Sequence, residues 1–153
     1  MNEVAKILAI GDVHLGTRCS GVPDDISSGR LEPGALTPEA ALKRSVDFAI
    51  DQKVDAVLFA GDVVESTNAR FEAFVPLEEC IRRLLDKEIQ VIAVAGNHDV
   101  EALPRLAKII DGFTLLGADG RWEKTTIIKN EVPVAEVIGW SFDRRKVSGR
   151  DSR

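Results

Sequence analysis

Along the first two thirds of the chain, apolar residues fall in short unbroken runs separated by longer stretches with helical spacing. The runs are Ile7-Leu8-Ala9-Ile10, Ala56-Val57-Leu58-Phe59-Ala60 and Val91-Ile92-Ala93-Val94-Ala95, and each stops at a glycine: Gly11, Gly61 or Gly96. Such runs suit strands buried on both faces, the usual state in a parallel sheet. Strands are expected over residues 4–10, 54–59 and 90–95. A helix is expected to start at Thr37-Pro38-Glu39-Ala40, with a capping threonine and proline in its first turn. It would turn Ala41, Leu42, Ser45, Val46, Ala49 and Ile50 inward and Lys43, Arg44, Asp47 and Asp51 to water.

A second helix is expected over residues 71–86, with Phe74, Leu77, Ile81, Leu84 and Leu85 on its buried stripe. Pro76 lies inside that pattern and implies a late start or a kink. A shorter helix is expected over residues 100–110. Strands alternating with helix-length connections call for parallel neighbours and right-handed crossovers. The pattern then changes. Residues 113–116 read as a short strand, 117–120 as a turn, and 122–129 and 132–140 as a hairpin about Asn130-Glu131. The expected class is α/β, a parallel-sheet β-α-β-α-β core followed by a β-hairpin, in one domain spanning 1–153.

Two stretches fall outside these elements. Residues 16–37 are rich in Gly, Ser, Pro and Asp, and a loop of that length usually carries function or mobility. It leaves directly from Asp12-Val13-His14, so it is expected to flank a substrate. Residues 143–153 carry Arg144, Arg145, Lys146, Arg150 and Arg153. They suit a frayed, flexible end better than a phosphate-contacting patch.

Composition narrows the class little further. Hydrophobic residues at 44% and charged residues at 29% describe an ordinary globular chain of 153 residues. No apolar run approaches the ~20 residues of a membrane span, and Met1-Asn2-Glu3 leads straight into a strand without signal-peptide character. A cytoplasmic, non-membrane protein is therefore expected. The net charge of −5 argues against wrapping nucleic acid by charge alone. It leaves a nuclease open, because divalent metals would bring positive charge to a phosphate. Cys19 and Cys80 have no metal or redox spacing; Cys80 reads as core and Cys19 as a loop thiol.

The chemistry lies behind the three glycines. Gly11-Asp12-Val13-His14, Gly61-Asp62 and Gly96-Asn97-His98-Asp99 each follow a strand, and ligands in open α/β sheets bind at the carboxyl ends of strands. Taken singly, Gly-Asp is a common turn, and Asn-His-Asp could cap a helix. Carboxylate, imidazole and amide oxygen gathered at one sheet edge suit a pair of divalent ions. Asp12 and His14, two apart, would leave on one face if the chain stays extended. The glycines would let the backbone turn tightly and keep the floor of the site clear. Glu65 reads either as an extra ligand or as a surface carboxylate.

In these motifs and their order the chain resembles the calcineurin-like metallophosphoesterases, over roughly residues 4–99. The resemblance implies about half of a four-layer α/β/β/α sandwich. It implies Asp12 and His14 on the first metal, Asp62 bridging both metals, and Asn97 on the second. His98 would stabilise the transition state or protonate the leaving group, and Asp99 would orient His98 or cap the next helix. Two Mn2+ are expected, with Mg2+, Fe2+ or Zn2+ as alternatives. His14-Leu15-Gly16, and the run from Gly61-Asp62 to Asn97-His98, look like the SbcD-type DNA repair exonucleases. DNA is then the expected substrate, with Arg18, Asn68 and Arg70 as backbone contacts or plain loop surface. A phosphoesterase for small phosphodiesters or phosphomonoesters, and a non-catalytic metal-binding or interaction domain, are the alternatives.

The family's pattern continues with further histidines, whereas this sequence has two in all, His14 and His98. The expectation is a truncated domain with weak metal binding and little or no activity alone. Its uncovered sheet face would pair with another copy or a complementing chain.

Overall fold

The computed structural model describes residues 4–17, 33–65 and 73–143. Four parallel strands make the sheet: β1 (Ile7–Ile10), β2 (Ala56–Phe59), β3 (Gln90–Ala93) and β4 (Phe113–Leu115), paired in that order. Three helices connect them: α1 (Pro38–Asp51), α2 (Phe74–Leu85) and α3 (Ala102–Ile109). A short 3-10 helix, Pro33–Leu36, precedes α1. The hairpin of β5 (Glu123–Lys129) and β6 (Val132–Gly139) follows. The expected class is the observed one, with several strands a residue or two shorter than their apolar runs.

Local chemistry sets the helix starts. Thr37 caps α1, its hydroxyl accepting from the Ala40 amide at 3.2 Å, with Pro38 in the first helical position. The proline question in α2 resolves as a late start. The helix begins at Phe74, so Pro76 sits in the first turn, where amides lack intrahelical partners anyway. Asn130 and Glu131 both have positive φ, 49° and 64°, the pair of left-handed residues that a tight hairpin turn demands.

Alternation along the strands divides the core in two. Val57, Phe59, Val91 and Ala93 face the helices and pack with Leu42, Val46, Leu77, Ile81, Leu84, Leu103 and Leu106. Ala56 and Ile92 face the other way and pack with Leu116 and Ile127, with Val134, Ala135 and Val137 of the hairpin against them. The face expected to lie wholly open is therefore covered over β2 and β3. Among the described residues it stays open over β1, where Ile7 is 40% exposed and Ala9 is also exposed. The expectation of burial on both faces holds for β2 and β3 but not for β1, which is an edge strand. Among the described residues, no helix is long and apolar enough to cross a membrane. The expected flanking loop lies largely, and the basic tail almost wholly, outside the described residues.

Candidate metal centre

The three motif loops leave the carboxyl ends of β1, β2 and β3 side by side. The first two stay paired beyond their strands: the Asp12, His14 and Leu15 amides donate to the carbonyls of Gly61, Asp62 and Val63 at 3.2, 3.0 and 2.8 Å. The Glu65 amide returns a bond to Leu15 at 2.9 Å, and Leu15 and Val64 form an isolated parallel bridge. The backbone here is not extended, as the side-by-side placement of Asp12 and His14 had assumed. Asp12, His14 and Asp62 all take left-handed φ, 53°, 51° and 50°. Non-glycine residues held there mark a backbone that its surroundings over-determine, a feature that gathers at functional sites.

That kinked path still brings the ligands together. One oxygen each from Asp12 and Asp62 and a nitrogen of His14 lie within 4.8 Å of one another. The His14 Nε2 is 3.8 Å from Asp12 Oδ1, and the Asp12 side chain is 86% exposed, open to an incoming ion. A carboxylate–imidazole–carboxylate set at that spacing fits a divalent cation. Asn97 stands on the loop after β3, exposed to solvent. Asp62 is also tied to that loop, Oδ1 accepting from the His98 amide at 3.1 Å.

Gly96 is required by this approach, since a Cβ there would run into the Asp62 carboxylate. Gly61 has φ +92° and would bring a Cβ to 3.0 Å of the Gly96 amide, so both keep the floor clear as expected. Gly11 has only Ala60 in ordinary contact at 3.4 Å, and its place in the pattern has no such steric reason.

Glu65 is the residue that sequence reasoning undervalued. Its side chain is only 17% exposed, and it lies between the two histidines. Oε1 is 2.8 Å from His98 Nδ1, and Oε2 is 3.3 Å from His14 Nδ1. The imidazole rings meet edge to face at 5.1 Å. A carboxylate on Nδ1 fixes the ring and leaves Nε2 for a metal or a substrate. The available signal was positional: Glu65 follows Val63 and Val64, which are both buried and hold the loop against the core.

Asp99, expected to orient His98, does something else. It is fully buried, and its oxygens accept from the Val63 amide at 2.8 Å and the Gly96 amide at 2.6 Å. The carboxylate facing His98 is Glu65. Nor does the Asp99 side chain cap α3, whose N-cap is Glu101. Burial pushes the Asp99 carboxyl above the usual carboxylate range, and the two amides pull the other way. Arg18, Cys19, Asn68 and Arg70 lie outside the described residues. Cys80 is buried as core, and burial pushes its thiol up to about 11.

The family model for calcineurin-like phosphoesterases matches residues 5–148. This chain belongs to that family. Its members are metallophosphoesterases, hydrolases that work with divalent metals. Curated relatives include the DNA double-strand break repair protein Mre11 of Methanosarcina acetivorans, 24% identical over 93% of this chain and 23% of that protein. The Aeropyrum pernix protein of the same name is 30% identical over 71% of this chain and 26% of its own length. The chain thus spans about a quarter of these two relatives. Among solved structures, nuclease MPE of Pseudomonas putida aligns with TM-score 0.48 and 21% identity, over 72% of this chain and 46% of that one.

Proposed function

We propose that this chain serves a metal-dependent phosphodiesterase of nuclease type whose substrate is DNA, with Mn2+ as the working ion. The observation that carries the reading is the meeting of Asp12, His14 and Asp62 at one sheet edge with His98 held on Glu65 beside them. The DNA repair names of the relatives support the choice of substrate.

Asp12, His14 and Asp62 would hold one ion, and Asp62 and Asn97 would contact the second. Bound there, the ions supply an acidified water and neutralise the phosphoryl oxygens. The protein's own share is positioning and proton handling. Asp62, pinned by the His98 amide, keeps its carboxylate between the two loops. Glu65 holds His98 by Nδ1, so Nε2 is the nitrogen that can stabilise the phosphoryl group or give a proton to the departing alkoxide.

Among the described residues, the first ion would draw on three protein donors, Asp12, His14 and Asp62, and the second on two, Asp62 and Asn97. Divalent ions in such sites take four to six ligands, so the remaining ones would come from water, substrate or further protein. On this reading the metal affinity of these residues alone is weak. The open face over β1 is where a second copy or a complementing chain would dock.

The test is hydrolysis of single-stranded and duplex DNA beside a chromogenic aryl phosphodiester, with Mn2+ and then with chelator. Cleavage of DNA that the chelator abolishes is the expected result, weak for this chain alone. Turnover of the aryl ester without any of DNA would reassign the substrate to small phosphodiesters. DNA cleavage indifferent to chelator would overturn the metal reading.

A further inference from the structure

Asp99 is the one fully buried acidic residue among those described, and it lies beside a centre that it does not line. Each of its oxygens serves a different loop. Oδ1 accepts from Gly96 in its own loop, and Oδ2 accepts from Val63 in the loop after β2. A bond in the opposite sense lies next to it: Asp62, of the loop after β2, accepts from the His98 amide of the loop after β3. The two loops are therefore latched reciprocally, each by an aspartate of one on an amide of the other.

Val63 directly follows Asp62, whose left-handed backbone must be held from outside. Gly96, the other amide on Asp99, is the residue against which the Asp62 carboxylate rests. Both amides held by Asp99 thus flank the seat of the bridging ligand. Its side chain is buried from any ligand, its hydrogen bonds go to Val63 and Gly96 while His98 Nδ1 meets Glu65, and it does not cap α3. What remains is the spacing between the loops.

We infer that Asp99 is a positioning residue, which fixes Asp62 of one loop against Asn97 and His98 of the other and so preforms the second metal site. The inference rests on the ligand roles proposed above for Asp62 and Asn97. It differs from a local structural role in what it transmits. A carboxylate that only satisfied two amides would, when altered, affect those two amides. A latch would also loosen the His98–Asp62 bond, which Asp99 does not touch.

The experiment is native-state hydrogen exchange on the metal-free chain, with a Mn2+ titration followed by calorimetry. It compares wild type with Asp99→Asn and with Asp99→Glu, which keeps both oxygens on a longer arm. Asp55→Asn is the control, since Asp55 is a similar carboxylate at the far end of the sheet, accepting from the Lys6 amide at 2.6 Å. In Asp99→Asn, exchange is expected to quicken about tenfold or more at Val63, Gly96 and also His98, with the Val94 amide of the sheet little changed. The Mn2+ dissociation constant should rise about tenfold to a hundredfold, as for other outer partners of metal ligands. Asp55→Asn should lower stability and leave that constant unchanged.

Faster exchange confined to Val63 and Gly96, with His98 protection and Mn2+ affinity intact, would overturn the inference. If Asp99→Asn does not fold, Asp99→Glu decides on the same two readouts, because its displaced oxygens should weaken Mn2+ binding even if Val63 stays protected. A wild-type chain that takes up no Mn2+ would sink the proposed ligand roles instead, and His98 protection alone would then decide whether the latch exists.

Discussion

The two ends of the parallel sheet use carboxylates in opposite ways. At the amino ends of the strands, Asp55 accepts from the Lys6 amide and is met by the Lys129 ammonium at 3.2 Å, which also reaches the Val4 carbonyl. Its charge is neutralised within the fold, and it ties β1, β2 and β5 together. At the carboxyl ends, Asp62 and Asp99 take hydrogen bonds from backbone amides, and Asp12 stands open to solvent. Negative charge at one end is internally paired; at the other it is gathered and left for a cation. A binding site of this kind sacrifices some stability in the metal-free state, which the ion restores on binding.

The sharpest break of that comparison is chemical. His98→Ala, in a form of the protein with measurable turnover, should lower kcat by roughly two to four decades while leaving Mn2+ uptake nearly intact. Loss of metal binding in that variant would make His98 a ligand. Next comes its partner. Glu65→Gln keeps the shape but can no longer hold imidazole as an anion, and should cost about tenfold to a hundredfold in kcat. The pH–rate profile should move with it, which a purely structural residue would not cause.

Effects on stability are smaller in consequence and separate the two ends. Gly96→Ala forces a methyl against the Asp62 carboxylate and should destabilise by about 1–3 kcal/mol, in line with overpacking elsewhere. It should also weaken Mn2+ binding. Asp55→Asn should cost about 1 kcal/mol, the scale of a hydrogen bond with a partly exposed ion pair, and leave metal binding alone. Chemical denaturation with and without Mn2+ checks both, and metal sensitivity at Asp55 would contradict the division of labour. Smallest is Ile7→Lys on the open face over β1. Its effect on unfolding should stay within ~0.5 kcal/mol, while self-association measured by sedimentation should fall.

Much of the scaffold was legible because its signals are local. Apolar runs ending at glycine marked the strands, Thr37-Pro38 marked α1, and the β-rich runs around Asn130-Glu131 marked the hairpin. The motif residues were legible by type and order, and the structure sets Asp12, His14 and Asp62 within ligand reach of one another. What stayed hidden depends on contacts 33 to 51 residues apart in sequence, which no local pattern encodes. Glu65 looked like surface because the two histidines that it meets come from other loops. Asp99 looked like the partner of its neighbour His98, yet its second oxygen is used 36 residues away on Val63. The edge position of β1 was equally out of sight, since an apolar run does not say how many neighbours its strand will have.

Gathered negative charge at the carboxyl ends of the strands is what makes this edge a candidate metal centre, and one measurement tests that most directly: the thermal midpoint of the wild-type chain and of Asp62→Ala, with and without millimolar Mn2+. The wild type is expected to gain several degrees, because an ion that binds only the folded state stabilises it by about 2.7 kcal/mol at a hundred times its dissociation constant. Weak binding would scale that gain down without abolishing it. Asp62→Ala should lose most of the gain, having lost the carboxylate proposed to contact both ions. An unchanged wild-type midpoint, or an Asp62→Ala chain that responds to Mn2+ as the wild type does, would contradict the assignment of this sheet edge as a metal centre.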